Sequence, residues 1–265
     1  MRTKAYLSIF RMRLKQELQY RGAMIGGICC QAFFGLILVA LYRALYAGHP
    51  QTVPLEATVS YVWLQQAFFR MLGATDNDLA DRIRTGDIAY DLARPLSLYG
   101  YYYSRVMAQK LTGSLMRAVP MLVFAALLPK GWGISAPAGL PALLAGIAAL
   151  MLGLVVSSAI ENLTVGFTMR TLDPRGIQAM LNLLMMILSG NILPLTLFPD
   201  SWQRVIALMP HTQMLDTPIR LYTGQRSLSE LPQIIGLQAF WAAALLGLGL
   251  LLWSRNRKRL TVQGG

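Results

Sequence analysis

The stretch PAGLPALLAGIAALMLGLVVSSAI, residues 137–160, carries no charged side chain along its whole length. As a helix it is long enough to cross the roughly 30 Å hydrocarbon core of a bilayer, which takes about 20 apolar residues. A helix of this length on a soluble domain needs a polar face, and this one has none. It reads as a membrane span. The rest of the 265-residue chain agrees: 55% of residues are hydrophobic, only 14% are charged, and the mean hydropathy is +0.46. A soluble domain carries about 25% charged residues to coat its surface. Five more apolar blocks flank the first, at about 23–46, 53–74, 106–128, 177–197 and 232–253. The block at 53–74 is the weakest, because it holds Glu56, Gln65, Gln66 and Arg70. The expectation is an all-α membrane protein: one domain of six transmembrane helices over 23–265, preceded by an amphipathic helix over 1–22.

Charge sets the orientation. The net charge of +12 comes from 24 Lys and Arg against 12 Asp and Glu. A nucleic-acid surface would gather that charge on one face, whereas here the basic residues fall between the apolar blocks, as topology signals do. The N-terminus, the two even-numbered connections and the C-terminal tail together hold sixteen of them, among them Arg82, Arg84, Arg94, Arg170 and Arg255. The opposite side holds Arg43, Lys130, Arg204, Arg220 and Arg226. Basic residues mark the cytoplasm, so both termini are expected inside the cytoplasmic (inner) membrane, as an even number of spans requires. The start lacks the short basic region and small-residue cleavage site of a secretory signal. Leu7, Phe10, Leu14 and Leu18 instead recur at helical spacing, which predicts a helix lying among the inner lipid headgroups. The only cysteines, Cys29 and Cys30, are adjacent in an apolar run and suit neither a disulfide nor, beside two histidines, a zinc site.

Two connections carry more than topology. On the cytoplasmic side, residues 75–105 read TDNDLADRIRTGDIAYDLARPLSLYGYYYSR. Asp76 can cap a short helix bearing Leu79 and Ile83, Thr85-Gly86 ends it, and Pro95 breaks a second short element. With Ile88, Leu92 and Leu96 among mixed charges, the loop reads as a docking surface for a cytoplasmic protein. A solvated connector is the plainer alternative. On the outer side, the segment after the fifth span is broken by Gly190, Pro194, Pro199, Pro210, Pro218 and Gly224. Its apolar piece Trp202–Met209 is too short to cross, which predicts a re-entrant or interfacial helix plugging the outer end of a path. Within the spans, the polar or polarisable positions Gln65, Gln66, Phe69 and Arg70, and Asn182, Met185, Met186, Ser189 and Asn191, are the candidates for lining that path. Asn182, Met185, Met186 and Ser189 form one helical stripe, and packing between helices explains it equally well. Glu161 and Asn162 are expected near the cytoplasmic end of the fourth span, with Arg170 or Arg175 as the partner of Glu161. Lys110 and Arg117 share a face of the third span and can reach lipid phosphates or Glu161.

Four strings make the chain recognisable: GDIAYDLARPLS (Gly86–Ser97), SGNILPLTLFP (Ser189–Pro199), LMPHTQMLDTPIRLYTG (Leu208–Gly224), and the closing Gly264-Gly265 after a basic tail. In this order the sequence resembles the permease subunit of type-2 ATP-binding-cassette (ABC) exporters of about 260 residues and six spans. The resemblance implies a half-transporter: two permease subunits, identical or related, enclose a path, and two separate ABC ATPase subunits bind below. It implies that Gly86–Ser97 holds the short coupling helix seated on the ATPase, with Asp87, Asp91, Leu92, Arg94 and Pro95 as its contacts. The carboxylates and Arg94 would lie at the rim and Leu92 would anchor; pairing of Arg94 with Asp87 or Asp91 is the structural alternative. Gly190, Pro194, Pro199, Pro210 and His211 would form the outer gate, although relatives usually carry an aromatic residue where His211 stands. The chain has no G-x-x-x-x-G-K-[ST] phosphate cradle. ATP and Mg are therefore expected on the partner, with no cofactor, metal or catalytic residue here, and the cargo is expected to be an amphipathic small molecule or lipid-like compound.

Two other classes compete. A membrane enzyme acting on lipids would gather Asp, Glu or His at one interface, whereas Arg82 and Arg84 crowd Asp76, Asp78 and Asp81. An ion-coupled secondary transporter would need buried carboxylates within spans, or repeated halves around a midplane site.

Overall fold

The computed structural model describes residues 2–17, 19, 21–48, 53–73, 78–171, 175–190, 195 and 198–257. Among them the fold is wholly helical. In chain order the helices are α1 (Arg2–Glu17), α2 (Arg21–Gly48), α3 (Leu55–Phe68), α4 (Asp78–Thr85), α5 (Ile88–Leu92), α6 (Leu98–Leu127), α7 (Leu140–Thr171), α8 (Arg175–Leu188), α9 (Asp200–Ala207), α10 (Pro210–Met214), α11 (Asp216–Tyr222) and α12 (Leu231–Asn256).

Four stretches are long and apolar enough to cross a membrane: Met24–Gly48, Leu98–Leu127, Leu140–Arg170 and Leu228–Asn256. They coincide with the first, third, fourth and sixth blocks of the sequence. The second and fifth differ from expectation. α3 is 14 residues long and gives way to a turn of 3-10 helix at Phe69–Met71. α8 is also 14 residues, about 21 Å at helical rise, and stops before Gly190, whose φ is +74°. For α3 the reason is burial: every residue from Thr58 to Ala67 is covered by protein. A helix wrapped by its neighbours need not match the hydrocarbon thickness, because its ends find partners in the protein.

Hydrogen bonds show how far α3 travels. Near its start the Thr58 hydroxyl meets the Tyr46 hydroxyl at 2.6 Å, and the Ser60 hydroxyl accepts the Ser135 amide at 2.9 Å. At its end the Met71 carbonyl accepts from Lys110 at 2.9 Å. α3 thus runs from the level of the α6–α7 connection to that of the N-terminal half of α6. Trp63 locks it to α2 and α6 by packing with Val39, Tyr42 and Met121 and donating to the Trp132 carbonyl at 2.7 Å.

α1 lies on the start of α6 and on the loop helices. Its buried contact is Ile9, beside Leu79, Ile88, Tyr101 and Tyr102, and the Tyr6 hydroxyl accepts the Ser97 amide at 3.2 Å. Leu7 is exposed and Phe10 and Leu14 are half-covered, so the helix packs through a neighbouring face rather than the Leu7 stripe; Leu18 lies outside the described residues. Large apolar side chains cover the outside of the bundle, including Phe33, Phe34, Leu41, Leu144, Phe240 and Leu251. Water would not tolerate so continuous an apolar coat; lipid does.

The segment between α8 and α12 folds back deep into the bundle. A Cβ on Gly153, near the middle of α7, would lie 2.4 Å from the Met214 carbonyl oxygen, and one on Gly146 would lie 3.2 Å from the Pro218 oxygen. Farther along, the Ala138 amide donates to the Tyr222 carbonyl at 3.1 Å. α10 and α11 therefore climb along α7 from its middle to its beginning. Gln238 of α12 fixes the deep end by donating to the Gln213 and Ala149 carbonyls at 2.8 and 2.9 Å.

Candidate functional site

Three layers of polar side chains run through the bundle. The first is the loop of α4 and α5. Gly86, with φ +83°, turns the chain between the two helices, and Ser97 caps α6 by accepting the Gly100 amide at 3.1 Å. Asp91 is the hub. It is 3% exposed, accepts from the Tyr102 hydroxyl at 3.1 Å, and lies 3.2 Å from Arg82 and 3.3 Å from Arg94. Asp78 joins the network through Arg82 at 2.8 Å and through Arg105, whose guanidinium stacks over the Tyr101 and Tyr102 rings. Asp91 is therefore turned inward and not placed at the rim, and Arg94 takes the paired geometry of the structural alternative while also lying over the Tyr101 ring. The exposed edge consists of Asp87, Tyr90, Leu92, Arg94 and Pro95, with Tyr90 72% and Leu92 42% accessible. Tyr90 is missing from the sequence-derived candidates; spacing placed it on the loop but not on the free face. Asp76 lies outside the described residues.

Burial opposes ionisation of Asp78, but the Arg105 charge and the bonds from Arg82 and Arg105 outweigh it and hold the carboxyl below its ordinary value of 3.8. These pairs accordingly stabilise the loop in full above that value and weaken as the pH falls below it. We expect the parent loop to gain protease sensitivity only on such acidification. Asp78→Asn should be cut by trypsin after Arg82 and Arg84 already at neutral pH.

The second layer is an ion pair inside the bundle. Lys110 of α6 is fully buried, Glu161 of α7 is 5% exposed, and their Nζ and Oε2 atoms are 2.8 Å apart. Lys110 and the Ser157 hydroxyl both donate to the Met71 carbonyl, where α3 ends. Lys110 is thus a partner of Glu161, one of the contacts its face of the third span allows. Arg70 turns back to the Gly73 carbonyl at 3.2 Å, half-covered against Gly113, while Phe69 packs beside the core.

The third layer joins α3 to the folded-back segment. The Tyr61 hydroxyl donates to Asp216 at 2.6 Å, and Gln65 donates to the Tyr61 oxygen at 2.9 Å and the Ser189 carbonyl at 3.0 Å. Arg220 stands 3.8 Å from the second Asp216 oxygen. Gly190 is required here twice over, by its positive φ and because a Cβ would lie 2.4 Å from the Tyr61 hydroxyl. Asp216, wholly buried, escaped the sequence reading because its partner is 155 residues away.

The candidate path residues fall among these layers. Gln65, Gln66, Met185 and Ser189 are buried, Asn182 and Met186 are half-covered, and Leu183, Leu184 and Ile187 on the other side of α8 are exposed. The stripe faces inward, but it is packed: the gap beside Asn182, Met185 and Glu161 is about 20 Å³, room for roughly one water. Pro210 is buried, Pro199 is exposed, and His211 is half-covered with no hydrogen-bond partner for its ring nitrogens among the described residues. Asn191 and Pro194 lie outside the described residues.

Comparison with known proteins gives one result that bears on this arrangement. The model of the ABC-2 family transporter proteins matches residues 55–264, most of the chain, so the chain belongs to that family. It is a multi-pass membrane protein with the role of a transport permease, in a family whose permeases usually work with ATPase subunits and are not themselves the enzyme. Among curated proteins none matches the chain.

Proposed function

We propose that this member of the ABC-2 family is the permease half of an exporter in the cytoplasmic membrane. It crosses six times with both termini inside, pairs with an identical or related permease, and moves an amphipathic small molecule or lipid-like compound outward by alternating access. Separate ABC ATPase subunits, holding ATP and Mg, drive it. One observation carries the reading: the free edge Tyr90–Pro95 is presented by a hub, Asp91 of α5, that is ion-paired to Arg82 of α4 and to Arg94 and bonded to Tyr102 of α6. A loop braced in this way transmits a push to the spans as a rigid body, whereas a slack connector would absorb it. In this reading Tyr90, Leu92 and Pro95 seat in the ATPase, and Asp87 and Arg94 make its polar rim contacts. The short α3, covered by α2, α6 and α11, and the short α8, whose outer side is apolar and exposed, complete the six crossings, and the α9–α11 segment is the re-entrant outer plug. Met185, Met186, Gln65, Gln66 and Asn182 then face a path that opens between two copies.

Tyr90→Glu combined with Leu92→Glu is the cleaner test than Arg94→Glu, which also breaks the Asp91 pair. It should lower co-purification of the ATPase subunit by tenfold or more, since anchors of this kind carry about 2 kcal/mol or more each. Membrane insertion should be unchanged. Undiminished co-purification would remove the coupling assignment. The buried carboxylates Glu161 and Asp216 favour a second reading, ion-coupled transport. Proteoliposomes separate the two: uptake that needs the ATPase and ATP supports the first, and uptake driven by a proton or sodium gradient alone supports the second.

A further inference from the structure

At the C-terminal ends of α7 and α12, cytoplasmic in the orientation proposed above, on which this inference rests, a cleft of about 770 Å³ opens on the outside of the bundle. Its lining is apolar along Phe167, Leu248, Leu251 and Leu252 and basic toward the helix ends, where Arg170, Arg255 and Arg257 stand. No acidic residue lines it, and none of the three arginines has an ion-pair partner among the described residues. Leu248 and Leu251 are more than half exposed, so the wall faces the surroundings of the bundle and not its core.

The cleft is built into the fold. Trp253 donates to the Asn162 carbonyl at 2.8 Å and Asn256 to the Gly166 carbonyl at 3.0 Å, fixing the two helices beneath it. Gly166 is what lets them approach, since a Cβ there would lie 2.5 Å from the Trp253 indole nitrogen. Arg170, Arg255 and Arg257 are thus held at one end of a fixed apolar trough.

We propose that this cleft binds an anionic phospholipid of the inner leaflet, with its phosphate among the three arginines and an acyl chain along Phe167, Leu248, Leu251 and Leu252. The charge and the apolar wall must both be satisfied by one ligand. A free anion leaves the trough empty, and a neutral lipid leaves three guanidiniums without a counter-charge. A basic rim over an apolar groove at the cytoplasmic interface is the chemistry that selects an acidic headgroup. Guanidinium also pairs with phosphate in bidentate fashion.

The test uses the full chain purified in detergent, titrated with phosphatidylglycerol or phosphatidylcholine of identical acyl chains, with bound lipid counted by native mass spectrometry. Each basic residue near an anionic headgroup is worth roughly fivefold in affinity, and salt and exposure reduce the sum, so a preference of about tenfold for phosphatidylglycerol is expected. The combined Arg170→Gln, Arg255→Gln and Arg257→Gln variant should lose that preference. Leu251→Trp, which fills the trough and keeps the charges, should weaken binding of phosphatidylglycerol while leaving the fold intact. Equal binding of the two lipids by the parent, or an unchanged preference in the triple variant, would overturn the site. So would displacement of the lipid by inorganic phosphate alone, which would make it a free-anion site. A dimer in the parent spectra that the triple variant abolishes, with lipid counts unaltered, would show that a second copy covers the cleft instead.

Discussion

Lys110→Met should produce a protein that reaches the membrane but melts far below the parent in detergent, and Lys110→Met with Glu161→Leu should recover most of the loss. The single change leaves Glu161 at 5% exposure without the ammonium that stands 2.8 Å from it. Breaking a buried pair from one side costs about 3–5 kcal/mol, because the remaining charge stays buried after losing its counter-charge. Replacing both members with apolar groups of similar volume is often neutral or even stabilising. The geometry favours recovery here, since the Met71 carbonyl keeps its bond from Ser157 when Lys110 is gone. The checks are the thermal midpoints of the three proteins. If the single and double variants melt alike, the pair contributes through shape and not through charge. Recovery of the melt with loss of transport would say more: the pair would then be kept for movement, as the link between α6, α7 and the broken end of α3.

That pair also marks where the sequence stops being legible. The apolar blocks and the Pro/Gly-broken segment after α8 are local patterns, and each corresponds to a helix or a break in the fold. Pairing is not local. Lys110 on its face of the third span has Glu161 as one possible contact beside lipid phosphates, yet nothing within either helix chooses it over the nearby Arg170 and Arg175. Asp91 fails for the same reason. In a five-residue helix between a glycine turn and a proline, sequence cannot decide which of two carboxylates points inward. Tyr102, itself buried on α6, settles it by giving Asp91 a donor on the protein side. Tyr90 is left outside as a consequence. α3 shows the opposite limit, for its polar residues made it a poor span on paper. They are tolerated because Tyr61, Gln65 and Asp216 satisfy one another inside the protein.

Gly153→Ala should abolish transport while leaving insertion unchanged, although alanine is the mildest substitution a helix accepts. The added Cβ would lie 2.4 Å from the Met214 carbonyl oxygen and 3.0 Å from its carbon. These are backbone atoms, so no side-chain rotation relieves the contact, and α10 must move off α7 by about 1 Å to restore ordinary packing. Met214 and Leu215 are wholly buried at that point, and overpacking of this kind costs about 1–3 kcal/mol. Gly247→Ala on α12 is the control: nothing lies within 4 Å of its Cβ, and the substitution should gain the usual 0.5–1 kcal/mol or so of a helix interior. A cysteine placed at Met214 reads the seating directly. It should resist a membrane-impermeant thiol reagent in the parent background and react with it when Gly153→Ala is added. The α7–α10 contact lies near the middle of α7, where, in the proposed reading, the segment of α9–α11 shuts the stripe of Gln65, Met185 and Ser189 from outside. If Gly153→Ala transports normally with Met214→Cys still protected, the outer segment tolerates displacement, and its depth along α7 has no part in gating.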